Sequence, residues 1–95
     1  MAFHRLFGDN VSSKEDISKI TGIPLSILNE VYDRGMAAWL KSHRPGVEQH
    51  QWAQARLYSF IMLGKTHFTT DNDLAEQSKQ LAKPRLFFRL VEKMR

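Results

Sequence analysis

The stretch from Lys14 to Val31 constrains the fold more than any other part of the chain, and Gly22 is its pivot. Ser18, a small residue, stands four positions before the glycine, where two helices joined by a tight turn come closest. Ile17 before it, and Ile23, Leu28 and Val31 after it, supply the apolar positions that lock such a pair. Gly22 falls where the turn calls for a positive φ, which glycine adopts without a Cβ penalty. This is the spacing of a helix-turn-helix, and equally of a helical corner that only packs. The second helix carries Glu30 and Asp33, and it has no Arg, Lys, Asn or Gln before Asn29 to read a base edge. Its match to a DNA-reading helix is incomplete.

Turn residues punctuate the rest of the chain at Gly8, Gly22-Pro24, Pro45-Gly46, Gly64 and Pro84, and the apolar period between them is helical. Ser12 or Ser13 caps a first short helix, with Glu15 and Asp16 in its first turn. Pro24 suits the first turn of a second helix, which runs to about Ser42 through Leu25, Leu28, Tyr32, Gly35 or Met36, and Trp39. Gly35 inside it costs about 1 kcal/mol unless it lets a neighbouring helix approach; the alternative is a break there. His43-Arg44-Pro45-Gly46 turns the chain. A third helix from about Glu48 to Leu63 is apolar around most of its circumference, with His50, Gln51 and Gln54 as a narrow polar strip, and so belongs at the centre. Gly64 is placed to close it in a left-handed cap. Lys65–Thr69 is extended in character. Thr70 with Asp73 resembles a capping box that starts a helix over 71–82. A last helix over about 84–94 has an apolar face of Leu86, Phe87, Leu90, Val91 and Met94, and a stripe of Arg85, Arg89 and Lys93. The reading is one all-α domain, residues 1–95, of four to five helices.

Composition narrows the functional classes. With no cysteine there is no disulfide, no thiolate metal site and no cysteine nucleophile, which suits a reducing compartment. No apolar run is long enough to span a bilayer, and Met1–Gly8 is too short and mixed for a secretory signal. The net charge of +4 is uneven: from Lys79 onward there are six basic residues against Glu92 alone. A basic end of this kind favours a polyanion, an acidic protein surface or an anionic membrane.

Catalytic chemistry finds no foothold. No phosphate-cradling glycine loop and no nucleophile–base pair stand at useful spacing. His4, His43, His50 and His67 lack metal-ligand spacing. Asp71-Asn72-Asp73 opens like a calcium loop, but Glu76 stands where that loop needs glycine and Ala82 where it needs glutamate. No cofactor or metal is expected. Arg56 is the unusual polar residue, since it shares a helix side with Trp52, Ser59, Phe60 and Leu63. It pairs internally with Glu30, Asp33 or Asp73, or stacks on a ring; the functional alternative joins it to His43 and Arg44 as an anion pocket. Arg85, Arg89 and Lys93, with Arg44, are the candidate phosphate contacts; the same stripe also reads as a solvated helix face or a membrane-facing one.

The blocks Ile20–Leu25, Val31–Trp39, His43–Gly46, Gln51–Phe60 and Gly64–Leu74 together resemble a small uncharacterised domain of tailed phages of aquatic bacteria, cyanophages especially, and of large DNA viruses. The resemblance covers about residues 16–75, in order and at matching spacing. It departs from the pattern at Val47-Glu48, where Ser or Thr is expected ahead of the third helix. It implies a viral protein, active in the host cell cytoplasm or carried in the virion, without a known activity or cofactor. It also marks Arg34, Trp39, His43, Arg44, Trp52, Arg56, Asp71 and Asp73 as signature positions. The functional expectation is a non-enzymatic module that contacts nucleic acid through a basic face. The alternative is an interaction or virion-assembly piece that docks on a viral or host protein through its last helix.

Overall fold

The computed structural model describes residues 13–41 and 46–94, and these are helical with no strand. Helix α1, Lys14–Thr21, begins where the Ser13 hydroxyl accepts the Asp16 N–H at 3.2 Å. It ends where Gly22 takes φ 79° and donates its N–H to Ser18 O at 2.8 Å. The Ser18 hydroxyl donates across the turn to Ile23 O at 2.7 Å. The Thr21 hydroxyl donates to Ile17 O and accepts from the Ile23 N–H, so side chains complete the backbone pairing at the corner. Pro24 then leads into α2, Leu25–Lys41.

Helix α3, Gln49–Ile61, packs along α2 more extensively than any other pair of helices. Gly35 permits this without breaking α2: a Cβ there would lie 2.8 Å from the Cα of Ala53. Glu48 replaces the expected Ser or Thr at the N-cap, and its own N–H is taken by the side-chain oxygen of Gln51, three residues on. Leu57, Phe60 and Ile61 of α3 are buried among Ile17, Ile23, Leu28, Val31, Leu74, Phe88 and Val91, which puts α3 at the centre of the core. Burying side chains of this size is worth about 1.5–3 kcal/mol each before conformational entropy is counted.

Beyond α3 the chain departs from expectation. Lys65–Thr69 is not extended: Lys65–Phe68 forms a single helical turn, α4, followed by α5, Asn72–Ser78, and α6, Ala82–Lys93. The described residues therefore hold six helices instead of four or five. Gly64 is not the left-handed residue. Leu63 takes φ 60° while Gly64 donates its N–H to Ser59 O at 2.7 Å, in the six-to-one pairing of a Schellman motif. Burial of the Leu63 side chain offsets its strained backbone, and glycine is needed next to it for room, since a Cβ would meet the Ser59 hydroxyl at 2.5 Å. Asp71, not Thr70, stands at the N-cap of α5, which stops four residues short of the expected end, and Asp73 is drawn off to pair with Arg34. Helix α6 starts two residues earlier than expected, with Pro84 in its first turn.

Candidate functional site

The apolar face expected for α6 is only half right. Pro84, Phe87, Phe88 and Val91 are buried, whereas Leu86, Leu90 and Met94 stay half exposed or more. Phe88, which stands outside the expected face, belongs to the core: it packs edge-on against Phe60 and His67, with centroids 6.2 and 4.9 Å away. This roll of the helix about its axis sets where its basic residues lie. Arg85 and Arg89 border a groove of about 450 Å³ whose other edges are Leu63, Phe68, Phe88, Lys79 and Glu92. Lys93 is exposed on the same helix but does not line the groove. Neither Arg85 nor Arg89 forms an ion pair among the described residues, and Lys79 makes a loose 3.6 Å contact with Glu76 and lies 5.9 Å over the Phe88 ring. Phe68, at the end of α4, is 59% exposed beside these cations.

His67 anchors the floor behind Phe68. It is fully buried, its Nδ1–H donates to Phe60 O at 2.9 Å, and its Nε2 has no partner among the described residues. Burial, more than any neighbouring charge, pushes its pKa below the usual 6.5, so the ring is neutral near pH 7.

His43 and Arg44 lie outside the described residues, so the anion pocket that would join them to Arg56 has no described geometry. Arg56 itself is committed elsewhere. Its Nε and Nη2 donate to the two carboxylate oxygens of Asp71 at 3.0 and 2.9 Å. The partner is thus Asp71, not Glu30, Asp33 or Asp73. The α4–α5 turn carries Asp71 into the core, where it is fully buried within reach of Arg56. Arg34 closes the network. It holds Asp73 through two bonds of 2.9 and 2.8 Å, meets Glu30 at 3.2 Å and Asp71 at 3.4 Å, and donates to Thr70 O. The Arg34 guanidinium pulls the Asp73 carboxyl down to about 2, and the same contact raises the pKa of Arg34. Four signature positions, Arg34, Arg56, Asp71 and Asp73, thereby tie α2, α3 and α5 together. A fifth, Trp39, donates its indole N–H to Val47 O at 2.8 Å. Among the described residues no cluster of three or more His, Asp or Glu is placed to hold a metal ion.

Sequence reasoning missed Phe68 and Lys79 as members of the groove. The only signal was that Lys79 opens the basic run; Phe68 sat in a segment read as extended. The model of a family of unknown function, DUF5824, matches residues 1–81. The chain belongs to that family. The match takes in the ion-pair network and ends before α6, which supplies Arg85 and Arg89. No curated protein and no solved structure matches the chain. Among the described residues no helix is long and apolar enough to cross a membrane.

Proposed function

We propose that this member of DUF5824 is a non-enzymatic binding module, of viral origin and acting in the host cytoplasm or the virion, that contacts single-stranded nucleic acid along the α4–α6 groove. One observation carries the reading: Lys79, at the end of α5, and Arg85 and Arg89 of α6 converge beside an exposed phenylalanine with Glu92 as the only opposing charge on the lining. Cations that track a backbone next to an aromatic platform are the elements of sequence-tolerant strand binding. The α1–α2 corner plays no part in it. The outward residues of α2 include Ser26, Glu30 and Asp33, and acidic side chains there would repel phosphate. The test is fluorescence anisotropy with a mixed-sequence single-stranded oligonucleotide over a range of salt. Three phosphate contacts imply a slope of log K against log salt of about −2. No binding at about 50 mM salt ends the proposal.

A second reading rests on the exposed stripe of Leu86, Leu90 and Met94, which recurs every four residues along α6. Such a face next to Arg85 and Arg89 fits an acidic amphipathic helix of a viral or host protein. Binding that survives charge removal but is lost with Leu90→Glu favours it over nucleic acid.

A further inference from the structure

The single turn of α4 lends Phe68 to the groove and Lys65 and Thr66 to a second cleft, of about 490 Å³, within the usual size of small-molecule sites. One wall is a stripe of α3: Trp52, Ala55, Arg56 and Ser59, at three- and four-residue spacing. Ala38 and Ala55 keep the cleft open, since neither reaches into it. Arg56 is held rigidly by Asp71 and by Arg34 O, and these bonds use three of its five N–H donors. Lys65 is exposed and forms no ion pair among the described residues. Thr66 also lines the cleft, and its buried hydroxyl has no hydrogen-bond partner among the described residues. Thr70 adds a further hydroxyl, whereas the Thr69 hydroxyl donates to Lys65 O at 2.8 Å.

No carboxylate or carboxamide lines this cleft. That composition argues against a divalent cation, which needs oxygen ligands of that kind, and against a sugar, whose hydroxyls need strong acceptors. It suits a ligand with an apolar planar part and an anionic end. We propose that the cleft binds a nucleotide, its base lying against the Trp52–Ala55 wall and its phosphate held by the Lys65 ammonium and the Thr70 hydroxyl. This site is independent of the α4–α6 groove and shares none of its lining residues.

The test is a ¹⁵N NMR titration of the full chain with adenosine 5′-monophosphate, adenosine and inorganic phosphate in parallel. The monophosphate shifts the Trp52 indole and the amides of Lys65–Thr70, with Kd below about 1 mM. Adenosine and phosphate each bind more weakly, by about fivefold or more, because each lacks half of the recognised chemistry. Ala55→Leu fills the cleft from an exposed helix position, and Lys65→Gln removes the ammonium. Each weakens the monophosphate by about fivefold or more, while Arg85→Gln with Arg89→Gln leaves it unchanged. A single-stranded oligonucleotide weakened by Ala55→Leu shows that the nucleotide arrives within a strand; one that is indifferent shows that the free nucleotide is the ligand. No shift at millimolar monophosphate overturns the proposal. So does phosphate binding as well as the monophosphate with no effect of Ala55→Leu, which marks an adventitious ion only. Loss of monophosphate binding through the groove variant alone overturns it too.

Discussion

Arg56 and Asp71 form a two-pronged pair, 3.0 and 2.9 Å, with the carboxylate fully buried and the guanidinium nearly so. Removing the arginine leaves Asp71 with only the 3.4 Å contact of Arg34 among the described ion pairs. Arg56→Met is therefore expected to cost about 3–5 kcal/mol, read as a lower urea midpoint. Arg56→Lys recovers little of it, because an ammonium cannot make both bonds in one plane. The double variant Arg56→Met, Asp71→Leu regains a good part of the loss, since no charge is then stranded. A single variant with an unchanged midpoint would remove the structural reading of Arg56.

Gly22 is required twice over. Its φ of 79° lies in the left-handed region, and a Cβ there would come within 2.6 Å of Lys83 on α6. The backbone alone is worth about 1–2 kcal/mol against a non-glycine residue, and more against a β-branched one. Gly22→Val is expected to lose clearly more stability than Gly22→Ala or Gly22→Asn, since all three meet Lys83 and the β-branched residue is strained most at positive φ. Equal melting curves for all three variants would show that the turn tolerates a side chain.

His67 makes stability depend on pH. In the folded chain burial lowers its pKa; unfolded, it titrates near 6.5. Between the two values the unfolded state binds the extra proton, so stability rises with pH across that window and falls as pH drops below about 6.5. Urea midpoints measured from about pH 7.5 down to 5.5 are expected to decline, and His67→Gln is expected to flatten most of the decline. A slope that His67→Gln leaves intact would place the titrating group elsewhere.

Charge and stacking in the groove separate by salt. Arg85→Gln with Arg89→Gln is expected to flatten the salt slope on a single strand by about 1.4 and to leave the fold intact, because both side chains are exposed. Phe68→Ala is expected to cost about 1–3 kcal/mol of affinity with the slope unchanged. If Phe68→Ala has no effect while Leu86→Gln or Leu90→Glu abolishes capture of an acidic helical peptide, the protein-docking reading replaces the strand-binding one. Phe88→Ala cannot serve in that comparison, since Phe88 is 4% exposed and belongs to the core.

Local chemistry was legible in the sequence wherever neighbours in the chain decide the outcome. The α1 cap, the left-handed Gly22 and the apolar α3 all follow from residues within a turn or two of one another, whereas the choice at Gly35 between a close approach and a break was made by Ala53 of α3. Lys65–Phe68 was misread because four residues carry too little periodicity to separate a helical turn from a strand. Leu63 took the left-handed position from Gly64 because burial of its side chain outweighs a backbone preference, and burial is set by the whole fold. The roll of α6, which hides Phe88 and exposes Leu86, Leu90 and Met94, is likewise a packing decision that a single helix's spacing cannot make. Asp71 became the partner of Arg56 through a turn that brings together residues fifteen apart, and Lys79 and Phe68 joined Arg85 and Arg89 by contacts between helices. The chain alone determined the longer helices and where most of them turn; the tertiary structure decided the short turn at Lys65–Phe68, which charges are paired and which are left facing solvent, because pairing depends on distances that only the packed helices establish.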